Sequence, residues 1–191
     1  MVSDEELLAA IRAGDTDSLG TLVLRWQEPL FRFVYRMLPR TEDARDICQE
    51  TFLRVLKKAN RFREGSRFST WMYQIALNLC RDKLRKRKRW RLVMSEGSEF
   101  DERVASGTLG SRAEDDPSLA IESSENRSAV LRALQEIPDE QREVLVLKEF
   151  EGLKFREIAE LLECPESTVK SRMYYGLNGM RAALSRQGIR R

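Results

Sequence analysis

Apolar residues recur along this chain at the three- and four-residue spacings of α-helices, with no comparable stretch of strict alternation. Leu7, Leu8 and Ile11 follow Ser3, which with Glu6 makes a capping box and predicts a first helix. After Asp15, the residues Leu19, Leu22, Val23, Trp26, Leu30, Phe31, Val34, Tyr35 and Leu38 form a long apolar face that stops at Pro39. A third pattern begins near Thr41 with acidic residues in its first turn, and turns Ile47, Phe52, Val55 and Leu56 inward. The fourth, from near Ser69, carries Trp71, Ile75, Leu79 and Leu84. Together these predict a helical bundle.

The rhythm lapses, then resumes with Val130, Leu131, Leu134 and Ile137, breaks at Pro138, and continues through Val144, Leu145 and Leu147. Beyond Gly152, Ile158, Ala159, Leu161 and Leu162 give another helix its buried face, and after Glu163, Cys164 and Pro165 a last one starts around Ser167. That helix keeps Val169, Met173 and Leu177 for the core and carries Thr168, Lys170, Ser171 and Arg172 on its other face. So tight a break between two helices predicts a helix-turn-helix, whose second member can lay its N-terminal part in a DNA major groove. Hydroxyls and a helix N-terminus suit phosphate oxygens, while Lys and Arg suit guanine edges or phosphates. Lys170 and Arg172 fit an ordinary solvated helix face as well.

Charge explains the lapse. Net charge is only +3, but "RDKLRKRKRWR" from Arg81 is nearly all Lys and Arg, whereas Glu96 to Glu125 is acidic and holds "SEGSEF" and "ASGTLGSRAEDDPS". Gly, Ser and Pro in place of apolar periodicity are the signature of a linker. The expected fold is therefore all-α: a helical bundle over residues 1–90, a flexible acidic linker over 91–126, and a helix-turn-helix domain over 127–191.

Composition narrows the chemistry. There is no histidine, and Cys48, Cys80 and Cys164 lie far apart without C-x-x-C spacing, so neither a zinc site nor a histidine-based triad is expected. The expectation is no metal, no cofactor and no catalytic residue, with the cysteines as buried or half-buried thiols. With 34% charged residues, no apolar run approaches the roughly 20 residues a bilayer span needs. The opening "MVSDEELLAAIRAGD" does not read as a secretory signal, and a cytoplasmic protein is expected.

Two long segments carry a family resemblance: "DARDICQETFLRVLKKANRFREGSRFSTWMYQIALNLCRDKLRKRKR" and "IPDEQREVLVLKEFEGLKFREIAELLECPESTVKSRM". Their residues and their order across an acidic linker resemble the compact bacterial sigma factors of the extracytoplasmic-function group. The resemblance implies binding to core RNA polymerase and promoter DNA, no membrane insertion, a monomer when free, and an anti-sigma factor as partner.

Roles follow position by position. Asp46, Gln49, Glu50 and Phe52 match the polymerase-binding signature, where a helix docks on the coiled-coil clamp of the largest catalytic subunit. "NRFREGSRFSTW" resembles the loop and helix start that hold the melted minus-ten strand. There Phe62 or Phe68 would offer a ring to an unstacked base, and Arg61, Arg63, Ser66 and Arg67 would hold the backbone. Asn78, Arg81, Lys83 and Arg85 would continue that face. Ser167, Thr168, Lys170, Ser171 and Arg172 fall where the family reads the minus-thirty-five duplex. The acidic linker falls where the family threads a segment toward the RNA exit path, and its charge would mimic or exclude RNA there, or serve only as a solvated tether. Core packing is the alternative for Phe68 and is favoured for Trp71.

The chain departs from the family pattern in three places. Tyr174, Tyr175, Gly176 and Leu177 stand where a second arginine pair is usual, Glu163 stands where the turn usually has glycine, and Gly65 comes one place late, after Glu64. A left-handed backbone at Glu163 would cost roughly 1 kcal/mol. Two other classes remain open on the residues alone. A conventional helix-turn-helix regulator would bind duplex operators as a dimer, and a nucleic-acid enzyme would need a histidine, a P-loop, or a carboxylate cluster, and no such cluster occurs outside the Gly- and Ser-rich linker.

Overall fold

Helix α1, Asp4–Arg12, starts where its capping box requires: Glu6 N–H donates to Ser3 Oγ at 3.1 Å and Ser3 N–H donates to Glu6 Oε2 at 2.7 Å. A computed structural model describes residues 2–63, 65–95 and 117–189 of the chain. Among the described residues every regular element is helical, as the periodicity predicts.

Leu7, Leu8 and Ile11 bury α1 against α2, Asp17–Met37. Trp26 Nε1 donates to Asp4 Oδ2 at 3.0 Å, and Arg25 pairs with the same carboxylate, so α1 is tied to α2 at its start. α2 packs on α3, Thr41–Lys58, and both pack on α4, Phe68–Ser95. Leu22, Leu30, Phe33, Val34 and Met37 have no accessible surface, while Leu19, Val23, Trp26 and Phe31 line the margin of the same face. Ile47, Phe52 and Val55 are buried as expected, but Leu56 is 39% exposed. The buried stripe of α3 runs Ala44, Ile47, Thr51, Val55, and Leu56 lies a further 100° around the helix.

The remaining helices are α5, Pro117–Glu136, α6, Asp139–Leu145, which runs on through a π-turn at Val146–Phe150, α7, Phe155–Leu162, and α8, Glu166–Arg186. α8 packs on α5, α6 and α7. Its buried stripe is Val169, Met173, Gly176, Met180 and Ala183, alternating steps of four and three. Leu177, expected in the core, is 44% exposed, because Gly176 takes the inward position. A Cβ on Gly176 would meet Gln141 and Leu145 at 3.4 Å, and one on Gly179 would meet Ile137 Cγ2 at 2.7 Å. Absent side chains thus let α8 approach the α5–α6 corner.

Arg142 holds that corner. It is buried, and its Nε donates to Leu134 O at 2.6 Å while Nη2 donates to Ile137 O at 3.2 Å and pairs with Asp139 at 3.4 Å. The last carbonyls of a helix lack intrahelical partners, and a guanidinium there satisfies several at once. Burial pulls its pKa below the usual arginine value, against the opposing charges of Asp139 and Glu143.

The chain divides into two units, Met1–Ala105 and Ser106–Arg191. Helix α4 continues to Ser95 and α5 begins at Pro117, a residue suited to a first helical turn, so both enter the segment expected as linker. Residues 96–116 of that linker lie outside the described residues, as does Glu64. No helix among the described residues is long and apolar enough to cross a membrane. Cys80 is buried, Cys48 and Cys164 are half-buried, and all three are free thiols. Desolvation pushes Cys48 up to about 12, which keeps it protonated and unreactive.

Candidate nucleic-acid interfaces

On α3, Asp46 and Gln49 are exposed, and Glu50 is half-buried with its Oε1 2.8 Å from Arg54 Nε. Phe52 is buried beneath them. The same side also carries Leu53, 43% exposed, and Leu56. Asp46, Gln49, Leu53 and Leu56 step by three, four and three residues, the spacing of a coiled-coil seam. The apolar pattern alone gives Leu53 no role and puts Leu56 in the core; the heptad spacing is the signal that distinguishes them.

Between α3 and α4, a 3₁₀ turn at Ala59–Arg61 leads into a loop. Arg61, Arg63, Ser66 and Arg67 are exposed on it, and Gly65 takes a φ of 80°, which favours glycine. Its rings point the other way. Phe68 is 0% and Phe62 8% exposed, and their centroids lie 6.4 Å and 5.3 Å from that of Trp71. Neither ring is presented to an unstacked base; both anchor the loop in the core, and half-buried Trp71 joins them. The cationic half of the expected site is at the surface and the aromatic half is not.

Along α4, Asn78 and Arg85 are exposed and Arg81 is half-buried on one stripe, with Arg85 Nη2 2.5 Å from Asp82 Oδ1. Lys83 does not join them. Its Nζ lies 2.8 Å from Asp43 Oδ1, and Arg87, one turn on, pairs with the other oxygen of that carboxylate. Asp43 is buried, and burial alone would raise its pKa; the Lys83 hydrogen bond and the charges of Arg87, Lys83 and Arg40 outweigh that and lower it. Lys83 and Arg87 therefore hold α4 to the first turn of α3. Nothing in the helical pattern marks Asp43 as their partner, since the pairing spans 44 residues.

The turn before α8 bends through a left-handed residue. Glu163 sits at φ 54°, ψ 44°, Cys164 N–H donates to Ala159 O at 3.1 Å, and Glu163 N–H to Glu160 O at 3.4 Å. This is a Schellman ending with a non-glycine residue in the left-handed position. Pro165 then caps α8, and Thr168 and Val169 N–H both donate back to its carbonyl.

In the first turns of α8, Ser167, Lys170 and Ser171 are exposed, with Thr168 and Arg172 half-buried. Lys170 Nζ is 2.7 Å from Glu166 Oε1, a bond between exposed groups that a phosphate can replace. Ser171 Oγ donates to Thr168 O at 3.0 Å and keeps lone pairs to accept. Exposed Tyr174 and Tyr175 extend the stripes begun by Ser167 and Ser171, and by Thr168 and Arg172. A helix about 10–12 Å across fits a major groove about 12 Å wide, so these turns can meet base edges. No group of His, Cys, Asp or Glu among the described residues could hold a metal ion.

Residues 22–90 match the family described as Sigma-70 region 2, and residues 127–178 match Sigma-70, region 4. The ECF RNA polymerase sigma factor SigW of Bacillus subtilis is 33% identical over 180 residues, which cover 91% of this chain and 92% of that protein. RNA polymerase sigma-H factor of Pseudomonas aeruginosa is 30% identical over 181 residues, covering 95% and 93%. Among solved structures, the sigma factor RpoE in complex with the anti-sigma factor NepR from Bartonella quintana matches in fold, with a TM-score of 0.67 and 22% identity over 87% of this chain and 96% of that one. With both regions matched in order and relatives aligned over nearly the whole length, the chain belongs to the extracytoplasmic-function group of sigma-70 RNA polymerase sigma factors.

Proposed function

We propose that this chain directs core RNA polymerase to promoters through three faces: the α3 stripe docks on polymerase, the 59–67 loop with α4 takes the opened minus-ten strand, and α8 reads the minus-thirty-five duplex. The observation that carries this reading is the α3 stripe of Asp46, Gln49, Leu53 and Leu56, exposed at coiled-coil spacing. A regulator acting on duplex DNA alone has no use for it. Unpairing a base costs a few kcal/mol, and strand capture by the arginine-lined loop offsets it. The chain works in the cytoplasm and performs no covalent chemistry itself. An anti-sigma factor covering these faces would silence it, in keeping with the complex in which RpoE was solved.

The test is in vitro transcription with purified core polymerase on a genomic fragment library, with transcript starts mapped. New starts sharing two upstream motifs at fixed spacing are expected. Leu53→Glu should abolish them by loss of polymerase binding; Lys170→Ala with Arg172→Ala should abolish them while polymerase binding persists. Duplex binding without any new start would replace this reading with that of a conventional regulator.

A further inference from the structure

The loop assigned to strand capture is gripped from outside the segment that matches region 2. Arg12, the last residue of α1, donates from Nε to Ala59 O at 2.8 Å and from Nη2 to Phe62 O, and its guanidinium carbon lies 5.9 Å from the centroid of the Phe62 ring. Seven residues earlier on the same helix, Glu5 Oε1 accepts from Phe68 N–H at 2.9 Å. One helix thus holds both roots of the loop across 47 to 63 residues of sequence.

The chemistry is matched to each root. Ala59 O already accepts Phe62 N–H at 3.1 Å and takes the Arg12 cation on its second lone pair, while Phe62 O at the end of the 3₁₀ turn takes its other nitrogen; the first turn of α4 leaves N–H groups, and a carboxylate meets one. Residues i and i+7 share a helix face, and Leu8 between them is 1% exposed; Arg12 is half-buried and Glu5 is exposed at the two ends of that face. α1 is itself fixed to α2 by the Asp4 bonds to Trp26 and Arg25. Arg61, Arg63, Ser66 and Arg67 are exposed on the segment so pinned.

We propose that α1 is a brace that sets the geometry of the strand-capture loop, with Glu5 and Arg12 as positioning residues for base selection. This rests on the reading of the loop as the minus-ten contact. Pinning both roots before DNA arrives removes ordering entropy from the binding step and fixes where the captured base must sit. Loosening a root therefore weakens capture and blurs the choice of base together.

Holoenzyme assembled from the full chain and core polymerase would be challenged with a randomised pool of single-stranded DNA of about twelve nucleotides, and the retained strands sequenced. The preferred strand and its single-base variants would then be measured by fluorescence anisotropy. Arg12→Ala should weaken the preferred strand about tenfold, the order of one charge-assisted hydrogen bond, and flatten the discrimination among bases by a similar factor. Arg12→Lys, which keeps a cation but reaches fewer carbonyls, should recover part of both. Glu5→Ala removes a single bond and gives the same readout if the arginine variant folds poorly. Wild-type affinity and base choice in Arg12→Ala and Glu5→Ala, whatever the change in unfolding midpoint, would overturn the brace. Arg63→Ala at the exposed part of the loop separates the two ideas: it should weaken capture, and if it does not, the loop is not the reader and the brace falls with it.

Discussion

Each unit contains an arginine that closes the end of a helix it does not belong to. Arg142 donates to Leu134 and Ile137, eight and five residues back, and lies buried in the corner it makes. Arg12 donates to Ala59 and Phe62, 47 and 50 residues ahead, and is only half-buried. The chemistry is the same and the sequence separation is not. The C-terminal unit caps its corner from neighbours along the chain, although α8 itself is tied back to α5 across 50 residues by Arg186 and Glu136. In the N-terminal unit the loop between α3 and α4 is held by a distant helix, and α4 by a distant carboxylate.

Arg142→Ala should produce the largest stability change. It leaves two carbonyls unpaired and opens the space beneath them, at about 3 kcal/mol. The two units can be followed separately, because Trp26, Trp71 and Trp90 all lie in the N-terminal one. Urea unfolding by far-ultraviolet circular dichroism should show an early transition that tryptophan fluorescence does not. A loss below about 1 kcal/mol would mean that local sequence neighbours hold the corner without it.

Asp43 tests the long-range side. Its folded pKa is lowered, so its stabilising contribution is complete above the unfolded carboxylate value near 4 and is lost as the pH falls from there through the folded value. Tryptophan fluorescence should therefore report a weakening N-terminal unit below about pH 4. Asp43→Asn should remove that acid dependence and cost about 2 kcal/mol at neutral pH, since Lys83 and Arg87 lose their charged partner. An unchanged acid limb in the variant would show that other carboxylates hold the bundle.

Glu163→Gly sharpens the comparison in the opposite direction. Glycine takes φ 54° without a Cβ penalty, so the C-terminal unit should gain about 1 kcal/mol, read as a later urea midpoint in circular dichroism with the fluorescence midpoint unmoved. The strain lies in a turn of a few residues, where the family resemblance leads one to expect glycine and the backbone takes the left-handed conformation.

What was legible follows the same division. Helix number, order and capping came from periodicity and from Ser3 with Glu6, because those signals are local. The exposed face of α8 was readable too, since an amphipathic helix with Val169 and Met173 inward must turn Lys170 and Ser171 outward. Leu177 faces outward against the pattern because Gly176 packs through its missing side chain, which no hydrophobicity pattern registers. In the N-terminal unit, the exposed arginines of the loop were found, whereas the burial of Phe62 and Phe68 and the capture of Lys83 by Asp43 depend on helices brought together from far along the chain. Family resemblance points to Asp46 and Gln49, and only the fold adds Leu53 and Leu56 to their stripe.

The smallest effect concerns where the α8 face ends. Tyr175 lies exposed on the stripe of Thr168 and Arg172, and its ring stands edge-on to that of Tyr174 at 5.5 Å. If the stripe follows a DNA strand beyond Arg172, a neutral tyrosine hydroxyl meets a phosphate there without releasing a counterion. Tyr175→Arg would then steepen the dependence of binding on salt by about one unit of log–log slope and raise affinity severalfold at low salt, alike for every sequence. Base preference should not move, because a phosphate contact positions and does not specify. An unchanged slope would place Tyr175 off the phosphate path and end the reading face at Arg172, leaving the tyrosine pair as surface that a protein partner can cover.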